Sequence, residues 1–271
     1  MTARILIIAG SDSGGGAGIQ ADIKTVTMLG GHAMTAVTAI TAQNTLGVQA
    51  VHRVPTDMVL AQIDSVVSDI GVDAVKIGMI GSAETADAVA DRLTALRAPI
   101  VFDPVMIATS GAVLADPATI AAFERLMRIA TLVTPNLPEL AALGGEAAVR
   151  AFGAALLIKG GHGEGDLVTD RLVARDAETV WTNPRIDTRH AHGTGCTLAS
   201  GIAIGLGQGM ALDAAIDRAI AFVRAALSAA PGVGQGHGPV GHALGTIAFY
   251  HLLAAMDPDG WDAQAFAARW S

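Results

Sequence analysis

Ile5-Leu-Ile-Ile-Ala-Gly-Ser-Asp-Ser-Gly-Gly-Gly-Ala-Gly18 is the stretch whose reading decides the fold. Ile5 to Ala9 is a continuous apolar run, the pattern of a strand buried on both faces. Gly10 ends it. Glycines at 10, 14, 15, 16 and 18 then bring the backbone close to something, and a helix from about Ile19 to Leu29 follows. Strand, glycine loop and helix together make a phosphate- or substrate-binding turn, or a flexible loop that holds no ligand. No Gly-Lys-Ser/Thr follows, so this is not a Walker A loop. The dinucleotide spacing fits Gly14 to Gly18 only loosely.

The same unit recurs along the chain. Further strands are read at Met34–Thr41, Val48–Val54, Asp73–Ile77, Pro99–Phe102, Thr131–Thr134 and Ala154–Ile158. Helices follow most of them. One opens at Thr56 or Asp57 as N-cap and runs to about Ile70, and one is capped by Ser82 and runs to about Leu96. Another opens at Asp116-Pro117, with Pro117 at its first position, and one runs from Asn136 to about Leu143. Leu167–Ala174 and Glu178–Trp181 alternate and form an antiparallel hairpin turning at Asp176-Ala177. A long helix spans about Leu212 to Ala229. A loop rich in Gly and His covers Gly232 to Gly241, and helical segments run on through Trp270. Buried-type strands alternating with helices predict an α/β fold, a mostly parallel sheet covered on both faces. No linker divides it, so residues 1–271 read as one domain. The polar and glycine residues cluster after strands, at 10–18, 43–44, 78–81, 103–106, 134–139 and 159–163. In such sheets ligands bind beyond the carboxyl ends of the strands, so these loops converge on one edge.

Composition narrows the function. The 271 residues are 51% apolar and only 4% aromatic, and the formal charge is −8. That balance disfavours broad nucleic-acid or anionic-membrane binding. The lone cysteine, Cys196, excludes an intrachain disulfide and fits a reducing compartment. Ile5–Ala9 is too short for a signal segment, and no run is long enough to span a membrane. A soluble cytoplasmic protein is expected.

The second informative stretch is His190-Ala-His-Gly-Thr-Gly-Cys-Thr-Leu198. Gly193 and Gly195 bracket Thr194 just before Cys196, and a small, apolar helix follows through Leu206. A glycine turn entering a helix leaves free N–H groups at the positive end of the dipole. That suits an anion, and it favours the thiolate of a first-turn cysteine. The alternative is a plain turn with a small buried thiol. Lys159 ends an apolar strand before Gly160-Gly161, placed to neutralise a transferring phosphoryl group or simply to reach solvent. Asn136 and Glu139 share a helix face. They either hold a hydrated Mg²⁺ against phosphates or form a capping box. Asp103 binds metal through water or caps its loop. Gln43 offers a donor and an acceptor to a heteroaromatic ring. Asp22 orients a hydroxyl or is a surface acid. The histidines form no zinc pattern and read as polar loop residues.

Gly10 to Thr25 resembles the opening of the hydroxymethylpyrimidine/phosphomethylpyrimidine kinases of thiamine biosynthesis. So do Thr38–Gln43 with Asn44-Thr45, Lys76–Gly81, Asp103–Met106, Asn136–Glu139, Lys159–His162, His192–Leu198 and Gly236–Pro239. The resemblance implies a ribokinase-like three-layer α/β/α fold with a mostly parallel central sheet. It implies ATP with Mg²⁺ and phosphorylation of 4-amino-5-hydroxymethyl-2-methylpyrimidine, then of its monophosphate. Carried onto this chain, Asp22, Gln43 and Met79 line the pyrimidine pocket, with Val105, Met106 and Ile107 nearby. Lys159, Asn136 and Glu139 serve ATP phosphates and Mg²⁺. Gly193, Thr194, Gly195 and Cys196 form the anion hole, with Cys196 the candidate base. A homodimer is implied. His190-Ala191 stands where the family often has Asn-Thr, and Pro239-Val-Gly-His242 where it has Pro-Val-Asn-His. A pyridoxal kinase of the same fold and a non-catalytic pyrimidine or nucleotide sensor are the competing expectations.

Overall fold

The structure, a computed structural model, describes residues 2–109, 111–175 and 177–243. The helical segments expected through Trp270, and Asp176 of the expected hairpin turn, lie outside these residues. The elements in order are β1 (Arg4–Asp12), α1 (Gly18–Met28), β2 (His32–Asn44), β3 (Gly47–Arg53), α2 (Thr56–Asp69), β4 (Ala74–Ile77) and α3 (Ala83–Leu93). Then come β5 (Ile100–Phe102), α4 (Pro117–Ile129), β6 (Leu132–Val133), α5 (Leu137–Ala142), α6 (Glu146–Arg150) and β7 (Ala155–Ile158). A 3-10 turn (Gly160–His162), β8 (Leu167–Val173), β9 (Glu178–Pro184), α7 (Thr194–Gly207) and α8 (Leu212–Ser228) complete the fold.

The strands form one nine-stranded sheet in the order β3-β2-β1-β4-β5-β6-β7-β8-β9. From β2 to β7 all neighbours are parallel. The edge strands β3 and β9, and β8 beside β9, run antiparallel to their neighbours. The alternation of β1 explains the three layers. Leu6 and Ile8 pack with Val59 and Ile63 of α2, Val89 and Leu93 of α3, and Phe123 of α4. Ile5 and Ile7 face the opposite way, onto Val26 of α1, Ile202 of α7 and Ile216 of α8. Each of these isoleucines and leucines is fully buried, which contributes about 1.5–3 kcal/mol apiece. Phe102 and Phe123 meet edge to face, with ring centroids 5.2 Å apart. The chain leaves β1 for β2 on one side, then returns for β4 on the other. The carboxyl end of β1 is therefore the switch point where such sheets open a crevice.

α7 runs through the middle of its layer and is buried along most of its length. Its small residues make that possible. A Cβ at Gly201 would lie 2.9 Å from Ala219 Cβ, and one at Gly205 would lie 2.7 Å from Ala215 Cβ, so α8 packs directly on the α7 backbone.

Local signals held in several places. Ser82 accepts from Thr85 N, and Asp116 accepts from Thr119 N with Pro117 at the helix start. Others did not. Neither Thr56 nor Asp57 caps α2. Its N-cap is Pro55 without a side-chain bond, because Thr56 Oγ1 turns to Thr85 Oγ1 at 3.0 Å and Asp57 Oδ1 takes the adjacent Met58 N–H. β2 extends through Gln43 and Asn44, because β3 pairs with it antiparallel up to Asn44–Gly47.

Candidate active site

A cavity of about 850 Å³ opens beyond the carboxyl ends of the parallel strands. That volume suits a small molecule together with a nucleotide. Gln43, Met79, Val105 and Met106 line it, and so do Asp103, Asn136, Glu139 and Lys159. Gly193, Thr194, Gly195 and Cys196, at the start of α7, line it as well. The two stretches singled out in the sequence thus meet in one place. Among the sequence candidates Asp22 alone is not in the wall. It is fully buried in α1, so it is not a surface acid either.

The turn entering α7 demands glycine. Gly193 has φ of +90°, and a Cβ there would lie 1.9 Å from Gly16 O. The glycine loop after β1 and the α7 turn therefore touch backbone to backbone. Beyond Gly193 the helix end has no side-chain cap; Thr194 N donates to Ala191 O at 3.4 Å, and Gly195 and Cys196 follow it in the cavity wall. Lys159 brings an ammonium to this corner. A Cβ at Gly195 would sit 3.4 Å from Lys159 Nζ and 3.7 Å from Asp103 Oδ2.

The carboxylates around that lysine hold it in place. Lys159 Nζ donates to Asp103 Oδ1 at 2.7 Å and lies 3.8 Å from Glu139 Oε2. Thr134 Oγ1 also donates to Asp103 Oδ1, at 3.2 Å. Burial alone would lower the lysine, but Asp103 and Glu139 outweigh it and keep the ammonium charged. Burial also raises the Glu139 carboxyl, against the pull of Lys159. Asn136 and Glu139 do form the capping box. Glu139 N donates to Asn136 Oδ1 and Asn136 N donates to Glu139 Oε2, both at 2.8 Å. That bond occupies one oxygen of Glu139. The other has no protein partner among the described residues, so capping and metal binding are compatible. The described residues include no cluster of three or more His, Cys, Asp or Glu that could cage a metal. Asp103 and Glu139 instead fit Mg²⁺, which keeps most of its ligands as water and phosphate oxygens and takes one or two carboxylates.

Beneath Cys196 lies a buried ion pair. Lys76 Nζ donates to Asp22 Oδ2 at 2.8 Å, and Ser200 Oγ donates to Asp22 Oδ1 at 2.7 Å. Both charged side chains are fully buried. Burial alone would lower the Lys76 ammonium, but Asp22, Cys196 and Asp103 outweigh it and hold it above the ordinary lysine range. The thiol corrects an expectation. The helix start was expected to favour the thiolate; instead burial pushes the thiol up to about 11, helped by Asp22 and Asp103. Lys76 and the Gly18 N–H oppose this without reversing it. Partial dipole charges are worth less here than desolvation.

A family model for phosphomethylpyrimidine kinase matches residues 12–241. A hydroxymethylpyrimidine/phosphomethylpyrimidine kinase of Rhizobium meliloti is 48% identical over 259 residues, covering 89% of this chain and 97% of that one. One from Streptomyces coelicolor is 48% identical, covering 88% and 93%. The chain belongs to the phosphomethylpyrimidine kinase family. Solved structures show the same ribokinase-like architecture. The ADP complex of Bacillus subtilis pyridoxal kinase matches with a TM-score of 0.83 at 32% identity, covering 90% of this chain and 98% of that one. A phosphomethylpyrimidine kinase of Clostridium difficile matches with 0.73 at 35% identity, covering 83% and 99%.

The departures from the phosphomethylpyrimidine kinase pattern leave the turn intact. Ala191 needs no side chain for its role, because its carbonyl accepts from Thr194 Oγ1 at 3.1 Å. Gly241 packs on the end of α8, where a Cβ would lie 2.0 Å from Ala229 O. His242 still reaches Thr197 Oγ1 at 2.8 Å in the first turn of α7, and burial lowers its ring to about 4, so it is neutral there.

Two functional groupings were missed. Asp12 takes the amides of Gly14, Gly16 and Ala17 at 2.8, 3.0 and 2.9 Å, and His192 Nε2 at 2.9 Å. Burial would raise this carboxyl, but His192 and the amides of Ala17 and Gly14 outweigh it and hold it below the usual range. Arg185 donates to the carbonyls of Gly165, Gly161 and Gly163 at 2.7, 3.0 and 2.7 Å. It fixes the loop after β7 that carries His162 in the cavity wall. Glycine loops have no side chains with which to fix themselves, and that was the available signal for both.

Proposed function

We propose that this cavity phosphorylates 4-amino-5-hydroxymethyl-2-methylpyrimidine and then its monophosphate, with Mg-ATP as phosphoryl donor. The observation that carries the reading is the convergence of Lys159, the uncapped start of α7 and Cys196 on a cavity whose other wall holds Gln43. Gln43, Met79, Val105 and Met106 hold the ring. The Gln43 amide pairs with the aminopyrimidine edge, and the apolar side chains exclude water. Lys159, Asn136, Gly195 and the neighbouring amides of Gly193 and Thr194 hold the phosphates. Asp103 and Glu139 hold Mg²⁺, which when bound neutralises charge on the phosphate oxygens.

In the first step the hydroxymethyl oxygen bonds to the γ-phosphorus and the bond from that phosphorus to the β-bridging oxygen breaks, releasing ADP. The hydroxyl proton passes to Cys196 Sγ, which Lys76 beneath it stabilises as the thiolate before it accepts. In the second step a phosphate oxygen of the monophosphate bonds to the γ-phosphorus of a second ATP, and the bond from that phosphorus to its β-bridging oxygen breaks, releasing ADP. The attacking phosphate is already ionised, since the second pKa of a phosphate monoester is about 6, so this step needs no base. Positioning and charge do most of the work in both steps.

Incubation of the chain with Mg-ATP and the hydroxymethylpyrimidine, followed by mass, tests the reading. Monophosphate and then diphosphate are expected, and no product would sink it. Pyridoxal run in parallel decides the second reading, which the likeness to pyridoxal kinase structures favours. A single domain acting as a cytoplasmic homodimer belongs to the same proposal. Light scattering against the 27.4 kDa chain mass tests the dimer. Among the described residues no helix is long and apolar enough to cross a membrane.

A further inference from the structure

His192 joins four segments at one point. Its Nε2 lies 2.9 Å from Asp12 Oδ2 at the end of β1 and 3.2 Å from the side-chain nitrogen of Gln43 at the end of β2. Its Nδ1 lies 3.1 Å from Thr109 Oγ1 in the segment between β5 and α4. The residue itself adjoins Gly193, the N-cap of α7. The ring is almost wholly buried and lies against Gly16, where a Cβ would come 2.5 Å from Cδ2.

The proton positions follow from the partners. An ionised carboxylate only accepts, so the nitrogen facing Asp12 carries a proton. Nε2–H therefore donates to Asp12, which its three amide donors hold ionised. An amide nitrogen of Gln43 facing that N–H would set donor against donor. Turning the amide over leaves its shape unchanged and resolves the conflict. Oε1 then shares the Nε2–H with Asp12, and the amide NH₂ faces Thr41 Oγ1 at 3.1 Å. Thr41 can accept there, because its own proton goes to Ser11 O at 2.9 Å. One lone pair on the oxygen and one proton on the nitrogen of Gln43 are left for the cavity.

We infer that Asp12 and His192 are positioning residues that lock the Gln43 amide in the single orientation that reads an aminopyrimidine edge. This rests on the proposed contact between Gln43 and the ring. Without the Nε2 proton the amide faces only the Thr41 hydroxyl, which can turn to donate or to accept and so tolerates either order, and the wrong order faces donor with donor on the substrate.

The test is a double-mutant cycle between His192→Leu and Gln43→Leu, with His192→Gln as the conservative variant that keeps an N–H on a similar reach. KM and kcat are measured for the hydroxymethylpyrimidine and KM for Mg-ATP, with melting curves alongside. His192→Leu is expected to raise the pyrimidine KM about tenfold, the loss of roughly one aligned hydrogen bond, while the ATP KM stays within twofold. His192→Gln recovers most of the loss, and in the Gln43→Leu background the His192 effect disappears. An equal effect in that background, or an equal rise in the ATP KM, overturns the inference and makes His192 a brace of the α7 turn. A pyrimidine KM unchanged by Gln43→Leu overturns the ring contact itself, and with it this inference, whatever His192→Leu does.

Discussion

The thiol of Cys196 offers a quantitative handle on the first phosphorylation. With its ionisation pushed up to about 11, the thiolate is a small minority at neutral pH. At pH 7.5 about 1 chain in 3,000 carries it, and the fraction grows about tenfold per pH unit. If the thiolate takes the hydroxyl proton, the first step accelerates about 100-fold between pH 7.5 and 9.5. The sign is fixed, since raising the pH creates base. The nearby cations do not confuse the window, because Lys76 and Lys159 are both held above the ordinary lysine range. The second step is its own control. Its nucleophile is ionised throughout, so its rate stays flat. Quenched single-turnover reactions, with each phosphate resolved by mass, separate the two steps from product release. Cys196→Ala is expected to slow the first step by about 10²–10⁴ and to abolish its slope, with the second step within a few-fold of the parent. A flat first step in the parent chain, or the same slope in Cys196→Ala, would refute the role of the thiolate. An equal loss in both steps would show that Cys196 shapes the cavity and moves no proton.

Further substitutions probe the surrounding structure. Gly193→Ala forces a Cβ onto Gly16 O and a strained φ, so the turn entering α7, proposed to bind phosphate, opens. The kcat is expected to fall at least 100-fold, by steady-state assay, while far-ultraviolet circular dichroism stays native. Lys76→Met strands the buried Asp22 charge and is expected to destabilise the chain by about 3–5 kcal/mol in urea unfolding. The Lys76→Met/Asp22→Leu pair recovers much of that. Arg185→Ala releases the glycine carbonyls after β7 and is expected to raise the ATP KM about tenfold, with the pyrimidine KM unchanged, in initial-rate titrations.

The layered α/β fold was legible because its strands are buried on both faces and therefore read as apolar runs. The loops that build the cavity were legible because glycine and polar residues collect where those runs stop. What failed was pairing over distance. Asp12 and His192 are 180 residues apart, and Lys76 and Asp22 are 54 apart. Spacing says nothing about such pairs, but burial does. A lysine inside the apolar run Ala74–Ile77 requires a carboxylate partner, and an aspartate followed by Gly14, Gly15 and Gly16 has free amides to collect. Both signals were present at single positions. The thiol misled for a related reason. A helix start is visible in sequence, whereas the desolvation that opposes it is a sum over the whole fold.

The cavity divides into halves with different physical demands. On the proposed function, Lys159, the amides opening α7, Asp103 and Glu139 answer to phosphate, whose charge is the same whatever it is transferred to. On the same reading, Gln43 with Met79, Val105 and Met106 answers to the ring. On that reading the phosphate half places no demand on the ring, which accords with the likeness of this fold to structures named pyridoxal kinase and phosphomethylpyrimidine kinase. Selection between rings then falls to the order of donor and acceptor on one amide, and the groups that fix that order lie behind it, on Asp12, Thr41 and His192. Substitutions in this supporting group are therefore expected to shift ring preference at nearly constant ATP affinity. Substitutions around Lys159 are expected to lower turnover of every ring alike. A change that altered both together would mean that the two halves share a moving part, and the segment carrying Thr109 would be the first place to look, since it lines the ring side and is tied through His192 to the phosphate-binding turn.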